Sequence, residues 1–207
     1  MAQGMVPPQV RNLLFDLGGV HYAVDYPATV QAFAELAQRH GTTINFSQAQ
    51  QDPLFDRFEV GQIGEAEFLD GLRSHLRAPV PDAELIGAWN AMLGGLIPGR
   101  RELVRVLAER YPLALLSNTN AIHWEHRVGM EVGELLEPFG HVFLSYTAGL
   151  RKPNADFFEY ALATTGWRAE ETLFIEDTPQ HIAAAQRLGL CTLHLTDPAA
   201  LAPYFGL

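Results

Sequence analysis

The chain has little positive charge, almost no cysteine and no long apolar run, and each shortage removes a class of function. Lys and Arg number 14 against 24 Asp and Glu, for a formal net charge of −10 over 207 residues. Nucleic-acid and anionic-membrane surfaces require clustered cations to meet phosphate, so neither partner is expected and a small metabolite is. The single cysteine, Cys191, rules out an intramolecular disulfide framework and fits a reducing compartment. No apolar run reaches the length of a transmembrane helix, and the opening MAQGMVPPQV lacks the charged start and apolar core of a signal peptide. These absences predict a cytoplasmic protein with no membrane partner. There is no internal repeat and no low-complexity tract.

What is present begins with RNLLFDLGGVHYAVD at residues 11–25. Leu13, Leu14 and Phe15 form the short continuous apolar run of a strand buried on both faces, and Gly18-Gly19 marks its end. Asp16 therefore sits at the carboxyl end of a strand, the edge of an α/β sheet where ligands bind.

The segment after it changes character. DYPATVQAFAELAQRHG predicts a helix with Asp25 as N-cap, a proline in the first turn and Gly41 as stop, burying Val30, Phe33, Ala34 and Ala37. EAEFLDGLRSHL and DAELIGAWNAML repeat the helical spacing, with turn signals in DRFEVGQIG and RAPVPD. From about residue 97, helical stretches of roughly ten residues alternate with short apolar ones (PLALLS, HVFLS, ETLFIED, CTLHL), the pattern of right-handed crossovers in a parallel sheet. The reading is a parallel α/β core with helices on both faces, made of residues 1–20 and 97–207, interrupted by an all-helical insert over 21–96.

Parallel strands bring their carboxyl ends to one edge, and four polar clusters fall there. Asp16 follows LLF, Ser117-Asn118-Thr119-Asn120 follows LALL, Arg151-Lys152-Pro153 comes after VFLS, and Glu176-Asp177 follows TLFI. Singly, each reads as readily as a turn or a helix cap. Together, three acids, a hydroxyl and a lysine make a place for a divalent cation and a phosphoryl group.

The ordered set FDLGGV, LLSNTN, GLRKPNADFF and FIEDTPQHIAAAQRLG resembles the four motifs of the haloacid dehalogenase superfamily of hydrolases, and the insert resembles its small helical cap, the arrangement of subfamily I. FDLGGV and SNTNAIHW are similar to the branch holding sugar-phosphate phosphatases and the phosphatase-like N-terminal domain of epoxide hydrolases. The resemblance implies a Rossmann-like core and a Mg²⁺-dependent phosphohydrolase acting on a small phosphorylated metabolite, a sugar phosphate among the options. In it Asp16 attacks phosphorus and becomes an aspartyl phosphate. Asp16, Asp177 and the Gly18 carbonyl bind Mg²⁺, with Glu176 as a ligand or one step behind. Ser117 and Asn118 hold phosphoryl oxygens, and Lys152 neutralises the charge that builds on Asp16 and the phosphoryl group. An ordinary Asp is already an anion at neutral pH and needs no separate base. His123 lies where the branch often has histidine, and a capping or surface role is equally open there, as at His126 and His181.

One departure stands out. The phosphatases of this superfamily carry a second aspartate two positions after the first, to protonate the leaving oxygen, and here that position is Gly18. His21 and Asp25 are the nearby substitutes, with helix capping as the competing role for Asp25. Two alternatives stay open: a ligand-binding protein that keeps the fold without turnover, and carbon–halogen cleavage by Asp16, which the Glu176-Asp177 pair disfavours because such crowded charge calls for a cation. Phe55, Phe58, Trp89 and Met92 are candidates either for the cleft lining or for the core of the insert. The sequence leaves the oligomeric state undetermined.

Overall fold

The computed structural model describes residues 6–42 and 53–207. Its centre is a parallel five-stranded sheet in the order β5-β4-β1-β6-β7, formed by β1 (Asn12–Phe15), β4 (Leu113–Ser117), β5 (His141–Leu144), β6 (Thr172–Glu176) and β7 (Cys191–His194). The alternation of side chains along the strands divides the core in two. Leu13, Phe15, Leu113, Leu115, Leu173 and Ile175 point to one face, and Leu14, Ala114, Leu116 and Phe174 to the other. The first face is covered by α5 (Arg100–Ala108) and by a helical run made of α6 (Ala121–His123), a π-helical stretch (Trp124–Val128) and α7 (Gly129–Leu136). Below the second lie α9 (Ala155–Thr165) and α10 (Pro179–Arg187), while the four-residue α8 (Ser145–Ala148) follows β5 and α11 (Leu201–Tyr204) ends the chain. No helix among the described residues is long and apolar enough to cross a membrane.

The register explains why the acids meet. Phe15 pairs with Leu115 on one side and Ile175 on the other, so Asp16 and Glu176 leave adjacent strands at the same level. Because β1 is the central strand, its two neighbours deliver Ser117 and Glu176 to either side of Asp16.

The insert carries α1 (Tyr26–Arg39), α2 (Pro53–Glu59), α3 (Glu65–Leu76) and α4 (Asp82–Trp89). It is not all-helical: β2 (Tyr22–Val24) pairs antiparallel with β3 (Leu93–Leu96), Tyr22 opposite Leu96, and this ribbon frames its two ends. The sequence LGGL hides the strand because two glycines erase the apolar alternation. Gly94 allows close approach, since a Cβ there would stand 3.0 Å from the Ala23 Cβ, and Gly95 allows a backbone φ of +98. Three smaller expectations also change. The buried stripe of α1 is Thr29, Phe33, Leu36 and Ala37, with Ala34 exposed, because Thr29 bonds the Trp89 carbonyl and sets the rotation. Asp25 takes the N-cap position, yet its side chain makes no capping bond. Residues 56–59, read as part of a turn, are the last residues of α2.

Candidate active site

Lys152 is the centre of the site. It is completely buried, and its Nζ lies 2.8 Å from Asp16 Oδ1 and 2.7 Å from Glu176 Oε2. Burial alone would lower an ammonium; the two carboxylates overcome that and hold it well above the ordinary lysine value. Its loop is fastened by Asn118, whose side-chain amide donates to the Lys152 carbonyl and accepts from the Lys152 N–H, both at 2.9 Å. Asn118, a candidate to hold phosphoryl oxygens, uses its side chain to clamp the lysine loop. Ser117 ends β4, buried, at the edge of the cleft.

Glu176 has a donor on every side. Oε2 meets Lys152 and His181 Nδ1 (2.9 Å), and Oε1 accepts the backbone N–H of Asp177 and Thr178 at 3.1 and 3.0 Å. Burial works against its ionisation, and the Lys152 charge with these bonds outweighs it, holding the carboxyl well below the usual range. Asp16 and Asp177 behave in the opposite sense. Desolvation and the Glu176 charge raise Asp16 against the pull of Lys152, and burial together with Glu176 pushes Asp177 up to about 6. One oxygen from each of Asp16, Glu176 and Asp177 lies within 4.8 Å of the others. Only Asp16 and Glu176 contact the ammonium, so the three-carboxylate cluster keeps excess negative charge, and a hard divalent cation fits this donor set and would relieve both raised acids.

The glycine turn after β1 admits Asp177. Gly19 has φ +67, and a Cβ there would stand 2.0 Å from Asp177 Oδ2. Gly18 has ordinary φ and puts no side chain in the cleft; its Cβ would meet Val24 Cγ2 at 3.3 Å.

Neither proposed substitute for the missing acid reaches the cleft. His21 is fully buried against Phe15 and Phe139, ring centroids 4.8 and 6.2 Å away, and neither ring nitrogen finds a partner among the described residues. Burial depresses it to about 3, so it is neutral. Asp25 is exposed and outside the lining. The cleft, about 790 Å³, is instead bordered by Tyr26 and Glu59, which the sequence did not single out, and by His181, for which it left a capping or surface role open. Desolvation and the surrounding carboxylates push the Tyr26 phenol up to about 12. Burial raises Glu59, opposed by Arg151, whose Nε is 2.7 Å from Glu59 Oε2 and which also pairs with Asp56. These pairs tie α2 to the loop that carries Lys152. Of the four candidate lining residues, Trp89 and Met92 face the cleft, while Phe58 stacks on Phe68 (4.0 Å) and Phe55 packs edge-on to Phe68 (5.6 Å) within the insert. His123 is buried and stacked on Trp89. His126 pairs at the surface with Glu65 across the junction of insert and core.

Comparison with known proteins agrees with this geometry. Among curated relatives, the D-ribitol-5-phosphate phosphatase of Bacteroides thetaiotaomicron is 26% identical over 88% of this chain and 90% of its own length. The sesquiterpene phosphatase astK of Aspergillus oryzae is 29% identical over 90% of each chain. A haloacid dehalogenase family enzyme from Bacteroides thetaiotaomicron, crystallised with magnesium and inorganic phosphate, superposes with a TM-score of 0.78 at 32% identity, covering 89% of this chain and 93% of that one. The family description "haloacid dehalogenase-like hydrolase" matches residues 10–189. With this match over most of the chain and the motif carboxylates and lysine in mutual contact, the chain belongs to the haloacid dehalogenase-like hydrolases.

Proposed function

We propose that this protein is a Mg²⁺-dependent phosphohydrolase that removes the phosphoryl group of a small phosphorylated metabolite by way of an aspartyl phosphate on Asp16. The observation that carries the reading is the cluster of three carboxylates, Asp16, Glu176 and Asp177, of which two contact the single ammonium of buried Lys152. A haloacid dehalogenation site has no use for that excess charge, whereas a cation and a phosphoryl dianion together complete it.

Asp16, Asp177 and the Gly18 carbonyl would hold Mg²⁺, with Glu176 behind them, since each of its oxygens already has donors. When bound, the ion lowers the repulsion between the Asp16 carboxylate and the phosphoryl oxygens. The free Asp16 oxygen attacks phosphorus; the bond to the leaving oxygen breaks and the alkoxide or phenoxide departs with the electron pair. Lys152, held on Asp16 Oδ1, favours the ionised carboxylate, orients it and balances charge during transfer. The Ser117 hydroxyl and the main chain at Asn118 receive phosphoryl oxygens. Water then attacks phosphorus, releasing inorganic phosphate and restoring Asp16. With Gly18 in the acid position, the leaving oxygen takes its proton from solvent or from a group on the cleft wall. The insert closes over the site and suits a small organic phosphate rather than a macromolecule.

Hydrolysis of 4-nitrophenyl phosphate with and without Mg²⁺ tests the reading. Turnover that needs the ion and stops in chelator supports it; undiminished turnover in excess chelator overturns the metal assignment. Absence of hydrolysis across a panel of phosphates, with inorganic phosphate still bound, would favour a binding protein.

A further inference from the structure

Much of one wall of the cleft is carbon, broken on the insert by the Tyr26 hydroxyl and by the Glu59 carboxylate that pairs with Arg151. Tyr22 and Val24 from β2, Trp89 from the end of α4, Met92 just before β3 and Leu93 at its start, with Val128 from the π-helical stretch of the core, form the apolar part. The polar atoms these residues bring are engaged with one another or with neighbours. Trp89 Nε1 donates to Asn120 Oδ1 at 3.3 Å, and the same oxygen accepts the His123 N–H at 3.0 Å. The His123 ring lies flat on Trp89, centroids 5.0 Å apart at 8°, with Nδ1 2.6 Å from Asn90 Oδ1. Burial depresses this imidazole to about 3, so it carries no charge to offer. The Tyr22 hydroxyl donates to Glu131, and the Thr29 hydroxyl donates to the Trp89 carbonyl and accepts the Met92 N–H.

A polyhydroxylated body pressed against such a wall loses its water and gains few partners, whereas a hydrocarbon body loses only unfavourable hydration. The cleft is in the size range of pockets that enclose a drug-sized ligand, far more than a phosphoryl group fills. We infer that the substrate is a monophosphate with a hydrocarbon body, a chain or a ring, and that sugar and sugar-alcohol monophosphates are discriminated against by this wall. The inference rests on the phosphoryl-site reading above and adds the class of the leaving group's body.

Binding of non-hydrolysable phosphonates separates the two claims. Wild-type protein in Mg²⁺ is titrated calorimetrically with inorganic phosphate, n-hexylphosphonate and a hexylphosphonate hydroxylated along its chain. Hexylphosphonate is expected to bind about tenfold or more tightly than its hydroxylated counterpart, the scale of discrimination a hydrophobic pocket supplies. Met92→Gln and Val24→Thr, two near-isosteric changes in different segments, should each narrow that ratio; melting curves confirm folding, and one folded variant suffices. Equal affinities of the two phosphonates, or a ratio unmoved in a folded variant, overturn the inference while phosphate binding keeps the phosphoryl site. A preserved preference with no binding of inorganic phosphate supports the wall and overturns the phosphoryl site, and no binding of any of the three overturns both.

Discussion

On the core side of the cleft, burial is tolerated by saturation: Lys152 lies against two carboxylates and Glu176 has a donor at each oxygen. On the insert side, rings and aliphatic groups face inward beside the Tyr26 hydroxyl and the Arg151-paired Glu59, and the Trp89 indole N–H is paired away from the ligand. On the proposed reading, the core side contains the atoms that react, positioned by the parallel sheet, and the insert side contains most of the surface that excludes water and selects. Chemistry and selectivity therefore reside on different segments, and a change on one side should leave the other readable.

The largest effect that would sharpen this contrast is loss of the nucleophile. Asp16→Asn should lower turnover of every phosphate by about 10⁴-fold or more, regardless of its body; steady-state assays on an aryl and an alkyl phosphate check that both fall together. Next comes the missing acid. General-acid assistance is typically worth about 10²–10⁴ in rate, so with Gly18 in that position single-turnover rates should fall steeply as the leaving-group pKa rises. A flat dependence for the chemical step would show that a wall residue supplies the proton, and Tyr26→Phe and Glu59→Gln would identify which.

A third prediction concerns stability on the core side. Lys152→Met leaves Asp16 and Glu176 buried without their cation, a loss of about 3–5 kcal/mol by analogy with other broken buried pairs. Denaturant melts should show it, and Mg²⁺ should restore part of it. The smallest effect lies away from both sides, at His21. Its folded value of about 3 is below the ordinary 6.5, so the unfolded chain binds the extra proton, and stability, full above about 6.5, declines as pH falls toward 3. At pH 5 the loss from this one residue is about 2 kcal/mol. His21→Phe removes no hydrogen bond found among the described residues and should flatten that acid limb, as melts between pH 7 and 5 would show.

The core side could be read from the sequence because each of its groups is a local event: an apolar run, then a polar residue, then a turn. Asp16, Ser117 and Glu176 each end a strand in that way, and the parallel topology does the rest. The insert side could not be read because its determinants are long-range. Trp89 faces the cleft through its stack on His123, 34 positions away in the chain, and Arg151 meets Asp56 and Glu59 from almost a hundred positions off. The β3 strand was hidden by its own glycines, and the face of α1 was set by a bond from Thr29 to Trp89. His21 looked like a replacement acid by proximity alone; the tight turn that bonds its N–H to the Leu17 carbonyl carries the ring into the core. Asn118 shows the same limit from within a motif, since only the fold reveals that its amide clasps Lys152.

In the proposed reaction a phosphoryl group is transferred to Asp16, and with glycine at position 18 both halves would be slow, including attack of water on the aspartyl phosphate. Protein mixed with 4-nitrophenyl phosphate and Mg²⁺, quenched in acid within one turnover and measured by intact and peptide mass spectrometry, tests it most directly. A burst of nitrophenol matched by one phosphoryl group on the peptide containing Asp16, absent in chelator and in Asp16→Asn, is the expected result. Full turnover with no phosphoryl group on that peptide at any quench time, or persistence of turnover in Asp16→Asn, would contradict it.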